Sequence, residues 1–299
     1  MGVPDGRTGA ARRTSGPRQG LGVGWLLARA ALRGVRALPW APALERTNYR
    51  GRTVTLAAGP ALAAAAASGA AVSAPSRPAA AAALVAGLSA GAVGLYDDVV
   101  GTRPEQKAAK GFAGHLAALR QGRGTSGLVK IAGVGAAGLA AAALLAADPA
   151  VRSHANRRRS GRAGRVADVL LGAGVIAGTA NLVNLLDLRP GRALKAGVLL
   201  GAPLLSGPAG GLAAGPVGAA AALLPADLDE RVMLGDSGAN ALGASLGVAL
   251  AARTGPVGRA GILAVVAALT AASEKVSFTQ VIENTRGLRE LDALGRRHR

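Results

Sequence analysis

The sequence predicts an all-α protein, a polytopic transmembrane helix bundle of about 8–10 spans. Half of its 299 residues are apolar and only 17% are charged, against roughly 25% charged in an average soluble domain. The apolar residues also form blocks, several of which continue for about 18 or more residues without a charge, as a membrane span requires. The alternative is a soluble bundle, because the blocks are rich in Ala, which contributes little to membrane insertion. A soluble bundle would, however, need a polar stripe on each helix.

Composition excludes some classes of site. There is no cysteine, so the chain has no disulfide framework and no thiolate metal site. The three histidines share no spacing typical of zinc. A net charge of +19 would suit nucleic acid in a soluble protein. Here the arginines lie mainly between apolar blocks, where they would set topology and contact anionic lipid head groups, so we expect the membrane as a partner and no nucleic acid.

The elements follow one another from a basic N-terminus. Residues 1–19 contain Gly and Pro and are expected to be disordered. The stretch 21–40 carries three arginines, so it is either a poor spanning helix or an interfacial amphipathic one. Residues 20–278 form the predicted membrane domain, and 279–299 form a basic tail. The predicted spans after the doubtful first one are 54–74, 79–96, 128–147, 166–186, 193–206, 208–225, 238–253 and 257–277.

Alternating crossings place five connections on one side of the membrane, and these connections carry mixed acidic and polar residues. They lie before residue 54, at 97–127, at 187–192, at 226–237 and after 277. Their arginine content only modestly exceeds that of the other side, where 152–165 holds six Arg. The positive-inside rule therefore gives weak support for calling this side cytoplasmic.

The first acidic motif on this side is the pair Asp97 and Asp98, which closes the block at 79–96. The chain has only 16 acidic residues, so their placement at the ends of apolar blocks is informative. Adjacent carboxylates repel each other without a cation, and a helix C-terminus disfavours Asp. The pair predicts a site for a divalent metal and phosphate. The alternative is two solvated surface carboxylates.

A second motif consists of Asn181, Asn184 and Asp187 at the end of the block at 166–186. Their i, i+3 spacing makes each a neighbour of the next on a helix surface. They would offer amide donors and a carboxylate at the membrane boundary. The alternative for the two Asn residues is hydrogen bonding to neighbouring helices.

The third motif extends from Met233 to Gly243, where a loop turns into the block at 238–253. Asp236 or Ser237 before an apolar stretch is an N-cap in the simplest interpretation. The glycines around them would let the backbone approach a ligand closely, and the helix N-terminus behind them favours an anion.

Together these motifs resemble the polyprenyl-phosphate N-acetylhexosamine-1-phosphate transferase family. The resemblance consists of DD after one span, N-x-x-N-x-x-D after a later one, and M-x-G-D-S-G-x-N-x-x-G before another. It covers about residues 45–277. The family includes the phospho-N-acetylmuramoyl-pentapeptide transferase of peptidoglycan synthesis. It also includes the GlcNAc-1-phosphate transferases that start teichoic acid or O-antigen synthesis.

The resemblance implies a ten- or eleven-helix fold in the inner membrane with a cytoplasmic cleft. It implies Mg²⁺-dependent transfer of a sugar-1-phosphate from a UDP-sugar to polyprenyl phosphate, with release of UMP, in cell-envelope glycan synthesis. A homodimer is left open. The implied site residues are Asp236 and Asp187 for the metal; Asp97, Asp98, Asp187 and Lys130 for catalysis; and Asn181, Asn184, Gly235, Ser237 and Asn240 for the substrate.

Two departures from the family pattern leave questions open. The family commonly has D-G-x-D-G-L-A after the Asn pair, whereas Pro190 stands here in place of the second Asp, so the nucleotide is not fixed. The His-rich motif of the muramoyl-pentapeptide branch is absent, which argues against that branch and leaves the sugar open. The alternatives are a catalytically inactive relative that acts as a membrane scaffold or lipid-binding protein, and a transporter with intramembrane carboxylates.

Overall fold

Helices make up nearly all the regular structure in the computed structural model, which describes residues 16–101, 103, 114, 118, 120–122, 124–154 and 161–297. The predicted all-α fold class is confirmed. The helices in the described residues are α1 (Pro17–Arg36), α2 (Ala58–Val72), α3 (Arg77–Val100), α4 (Ser126–Ala147), α5 (Pro149–His154), α6 (Arg162–Leu186), α7 (Arg192–Gly201), α8 (Gly210–Leu228), α9 (Gly235–Arg253), α10 (Pro256–Ser273), α11 (Phe278–Asn284) and α12 (Leu288–Ala293).

Five of these helices, α3, α4, α6, α8 and α10, are long and apolar enough to cross a membrane. Such a set is expected of a multi-pass membrane protein. Helix α2 is apolar but has only 15 residues. The predicted span at 193–206 consists of α7 and the 3₁₀ turn Ala202–Leu205. Ten α-helical residues rise about 15 Å, which is about half of the hydrocarbon thickness, so α7 does not cross the bilayer alone.

Helix α9 lies at the centre of the bundle, where it packs against α2, α3, α6 and α8. Nearly all of its residues after Asp236 are buried, and many are Gly, Ala or Ser, which let neighbouring backbones approach closely. The N-terminus of α9 therefore lies at the centre of one end of the bundle. This packing places the third acidic motif between the ends of other helices.

Helix α1 begins at Pro17, so residues 17–19, which belong to the segment predicted to be disordered, are helical. The rest of that prediction, residues 1–15, lies outside the described residues. A face of small residues, Gly20, Gly24 and Ala28, is buried where α1 packs on α2 and α8. Its arginines are exposed. Of the two interpretations of the stretch at 21–40, this arrangement favours the amphipathic helix.

A hairpin and the C-terminal tail cover the end of the bundle where α9 begins. Strands β1 (Glu45–Thr47) and β2 (Thr53–Thr55) pair antiparallel, and Thr55 forms a parallel bridge with Val232. The predicted basic tail folds back onto α7. There Arg192 donates two hydrogen bonds, of 2.8 and 2.9 Å, to the Asp292 carboxylate. Hairpin and tail thus frame the segment that leads into α9.

Candidate functional site

The three acidic motifs meet at one end of the bundle, which we call the site end. Helices α3 and α6 finish there, and α9 and α4 begin there. The Nζ atom of Lys130, in the first turn of α4, lies 2.7 Å from Asp97 Oδ2 and 2.5 Å from Asp236 Oδ2. One ammonium group therefore joins the first motif to the third.

Asp98 faces the backbone of α9. Its two carboxylate oxygens accept hydrogen bonds from the backbone N–H groups of Asp236 and Ser237, each at 2.9 Å. A carboxylate at a helix N-terminus satisfies free donors and complements the helix dipole. Gly235 is required here, because it has φ of +62° and a Cβ atom would lie 2.8 Å from both Asp98 oxygens. Asp98 thus fixes the start of α9 from another helix.

Asp187 follows directly after α6 and completes the group of four predicted carboxylates. Burial raises the pKa of Asp187 well above its ordinary value of 3.8, and the negative charges of Asp227, Asp236 and Asp98 raise it further. A hydrogen bond from the Gly235 N–H partly offsets these effects on the pKa. Negative charge is therefore crowded around Asp187, and a cation would favour its ionised form.

A hard cation suits this donor set. Among the described residues, Lys130 is the only cationic side chain that forms an ion pair with any of the four carboxylates. No three His, Cys, Asp or Glu side chains in that part of the chain are close enough to hold a metal by themselves. Mg²⁺ is usually bound by one or two carboxylates, with substrate phosphates and water completing its shell. Asp236 and Asp187 fit that mode of binding.

A cavity of about 210 Å³ adjoins Asp187. Its walls come from the hairpin at 47–49, the loop at 187–190 and the segment 227–233. The Tyr49 ring is half exposed, and the guanidinium carbon of Arg189 lies 4.7 Å from its centroid. An aromatic face, a cation and a carboxylate thus meet in one recess.

Three predicted substrate-binding side chains make contacts within the protein. Asn181 donates to Thr270 Oγ1 at 3.2 Å, which matches the alternative of hydrogen bonding between helices. Ser237 is buried and donates to the Gly91 carbonyl at 2.9 Å. Asn240 is also buried and donates to the Asp236 carbonyl at 2.7 Å. These three side chains form hydrogen bonds within the bundle and stabilise the packing of its helices. Asn184, one turn before Asp187, is partly accessible.

Asp227 and Glu230 belong to the site end but were not singled out from the sequence. Asp227 Oδ2 accepts a hydrogen bond from the Gly191 N–H at 2.6 Å, which holds the loop after Asp187. Glu230 has a left-handed backbone, with φ of +55°, and its carboxylate accepts from Asn48 Nδ2 at 2.7 Å. Two features of the sequence could have identified these residues. Acidic residues are rare in the chain, and both lie in the connection at 226–237.

Comparisons with known proteins do not identify a family. No family model matches the sequence, and no curated protein matches it.

Proposed function

We propose that the protein is a glycosyl-1-phosphate transferase, which moves an N-acetylhexosamine-type sugar phosphate from a nucleotide sugar to polyprenyl phosphate. The observation that supports this most is the convergence of Asp97, Asp98, Asp187 and Asp236 from three separate segments beside Lys130. These residues belong to the motifs that resemble the transferase family. The site end would face the cytoplasm of a plasma membrane, where nucleotide sugars occur.

The proposed reaction exchanges one phosphoanhydride for another. An oxygen of the lipid phosphate attacks the β-phosphorus of the donor, and the bond from that phosphorus to the bridging oxygen breaks. The nucleoside monophosphate leaves with the electron pair, and the sugar phosphate stays on the lipid. Such a transfer between anions depends on positioning and on neutralised charge more than on covalent chemistry of the protein.

Each side chain has a role set by its position. Lys130 would place positive charge beside the transferring phosphoryl group. Asp97, which shares Lys130 with Asp236, would orient Lys130 or the lipid phosphate. Asp98 would hold the N-terminus of α9 in place. When bound by Asp236 and Asp187, Mg²⁺ would neutralise oxygens of the donor pyrophosphate.

The cavity beside Asp187 is the proposed place for the nucleoside. The guanidinium carbons of Arg189 and Arg50 lie 4.7 and 5.3 Å from the centroid of its half-exposed Tyr49 ring. A base would replace one of these guanidinium groups on the ring, and base stacking contributes about 1–3 kcal/mol per base at other sites. Pro190 also lines this cavity, at the position where the family commonly has an Asp. Nucleotide sugars with a base other than uracil are therefore included among the donors to be tested.

The test is a reconstituted transfer assay. Purified protein in detergent is incubated with Mg²⁺, polyprenyl phosphate and radiolabelled nucleotide sugars, and the lipid-linked product and nucleoside monophosphate are measured. We expect both products from at least one donor. We expect Asp236→Asn to lower their rate by about 10²–10³-fold, as loss of a preorganised charge does elsewhere.

The matched control is Asp229→Asn. Asp229 lies seven positions earlier in the same connection, where its exposed carboxylate pairs with Arg231 and Arg297. This variant should keep the wild-type rate. Absence of product with every donor, or equal rates for wild type and Asp236→Asn, would exclude the proposed activity.

A non-catalytic lipid-binding protein is the second candidate. Pro190 favours it, and so does Lys130, because its ammonium group already neutralises the pair formed by Asp97 and Asp236. This candidate predicts that polyprenyl phosphate binds to the purified protein while no nucleoside monophosphate is released from any donor.

A further inference from the structure

A second recess at the site end is lined by four arginines and lies apart from the carboxylates. It has a volume of about 240 Å³, many times the roughly 10–15 Å³ that a single water needs. Arg29, Arg33 and Arg36 from the last turns of α1 form one wall, and Arg231 contributes from the segment before α9. Its floor is apolar and comes from Leu32 and from the end of α8.

Arg29, Arg33 and Arg36 of α1 have no carboxylate partner within the described residues. Their spacing of i, i+4 and i+7 places them on one face of the helix, where like charges repel one another. The negative end of the helix dipole offsets part of this repulsion. Arg231 pairs with Asp229 at 3.2 Å, and that is the only ion pair that a described residue makes with this group of four. The recess therefore carries an excess of positive charge.

The surface beside this recess is suited to lipid. Trp25 and Leu27 are each 40% exposed, and Leu26 is 62% exposed. The guanidinium carbon of Arg29 lies 4.8 Å from the centroid of the Trp25 ring. Tryptophan and apolar residues next to arginines are typical of helices at the boundary between head groups and acyl chains. An anion that reaches the arginines from this side would be attached to a lipid.

We propose that Arg29, Arg33, Arg36 and Arg231 form a binding site for the phosphate group of an anionic phospholipid. Guanidinium groups bind phosphate oxygens through paired hydrogen bonds, and the apolar floor would contact the glycerol and upper acyl chain. The site does not depend on the proposed transferase activity. Its ligand is a membrane component, distinct from the nucleotide cavity beside Asp187.

Trp25 provides a direct measurement. The chain has two tryptophans, so Trp40→Phe leaves Trp25 as the only one. We expect phosphatidylglycerol, titrated into this protein in detergent, to change Trp25 fluorescence saturably. Phosphatidylcholine with the same acyl chains should produce no such change. Because each basic residue near an anionic surface contributes about 1 kcal/mol, Arg33→Gln/Arg36→Gln should weaken binding by about thirtyfold.

Two further variants distinguish a defined binding site from diffuse electrostatic attraction of the lipid. Arg18 lies on α1 about 20 Å before Arg33 along the helix, beyond the screening length of about 8 Å at physiological salt. Arg18→Gln should therefore leave the affinity unchanged. Arg231→Gln should weaken binding although Arg231 belongs to another segment, so a loss there cannot come from unfolding of α1.

Three outcomes would overturn the proposal. One is an equal response to phosphatidylcholine, and another is a loss in Arg18→Gln as large as that in the double variant. The third is binding of inorganic phosphate as tight as that of phosphatidylglycerol, which would exclude the lipid as the specific ligand. Circular dichroism of each variant confirms that the helices have formed.

Discussion

The two ends of the bundle use buried charge in different ways. At the end opposite the site, Arg259 is fully buried and its guanidinium donates to Asp168 Oδ1 and to the Asp168 carbonyl, both at 2.9 Å. It also donates to the Ala251 carbonyl. At the same end, Ser76 donates to the carboxylate of Asp148. Each of these three buried charges therefore has a partner within the described residues.

The four carboxylates at the site end are not balanced in this way. Four carboxylates converge, and Lys130 is the only described cation paired with any of them. Crowded like charges cost stability unless a ligand compensates them. We infer that the buried pair at the opposite end holds the helices together, whereas the four carboxylates at the site end keep uncompensated charge that a cation could bind. Changes at the two ends should therefore separate stability from activity.

The largest expected effect is at the opposite end. Arg259→Met removes the ion-pair partner of Asp168 inside the bundle, and loss of one member of a buried pair typically costs about 3–5 kcal/mol. We expect a large drop in thermal stability in detergent, with little change in activity per folded molecule.

The double variant Arg259→Met/Asp168→Leu is the control for this result. It replaces both charges with apolar groups, and such replacements are often neutral or stabilising, so most of the lost stability should return. If the double variant unfolds as readily as Arg259→Met, the ion pair is not the source of the stability.

The next effect concerns Lys130. Lys130→Gln should lower the proposed transferase activity by about 10²–10³-fold, because the positive charge that we place at the transferring phosphoryl group is lost. The free energy of unfolding without Mg²⁺ should also fall, by about 1–3 kcal/mol, because two partly buried carboxylates lose their shared cationic partner. The assay is the transfer reaction, run beside thermal unfolding.

Mg²⁺ gives this variant a second measurement. Without the ammonium group, Asp97 and Asp236 should favour a divalent cation more strongly, so added Mg²⁺ should raise the melting temperature more in Lys130→Gln than in wild type. Lys275→Gln, an exposed lysine elsewhere, should behave as wild type. An equal Mg²⁺ effect in all three proteins would contradict the proposed metal site.

A smaller effect is expected where α3 meets α9. A Cβ atom on Gly94 would lie 2.3 Å from the Asp236 carbonyl oxygen, so Gly94→Ala must push the two helices apart. Overpacking of this kind typically costs about 1–3 kcal/mol, and here it would also displace Asp236. We expect lower stability and lower activity together.

Gly135→Ala is the matched control in α4, because a Cβ atom there has no neighbour within 4 Å. It should be neutral or stabilise the helix by up to about 1 kcal/mol. Equal behaviour of the two variants would mean that the contact between α3 and α9 is not tight.

The fold class and the meeting of the four carboxylates could be predicted because both follow from patterns along the chain. Apolar blocks determine helices, and alternating crossings put Asp97, Asp187 and Asp236 on one side. The sequence did not predict the role of Asp98, because a cap supplied by another helix leaves no local spacing to recognise. It also did not predict the docked tail, since the partners Arg192 and Asp292 are separated by 100 residues.

Contacts between distant segments also explain why the partners of single side chains could not be predicted. Asn181 and Ser237 face neighbouring helices, and the direction of a side chain on a buried helix depends on packing that one segment does not encode. Asp227 was missed because it is an isolated carboxylate whose partner, the Gly191 N–H, belongs to the backbone of another loop.

The smallest expected effect concerns the C-terminal tail. Asp292 lies at the site end, but its charge is matched by Arg192 and Arg296. Burial opposes ionisation of Asp292, but hydrogen bonds from Arg192 and the charges of Arg296 and Arg192 outweigh it and lower the pKa of Asp292 below 3.8. Its ionised form therefore contributes stability above its unfolded pKa, and this contribution is lost as the pH falls through the lower folded pKa.

Asp292→Asn should cost about 1–3 kcal/mol at neutral pH, measured by thermal unfolding and by proteolysis of the tail. The difference from wild type should disappear in acid below the folded pKa, and a difference that persists there would mean that the charge of Asp292 does not hold the tail.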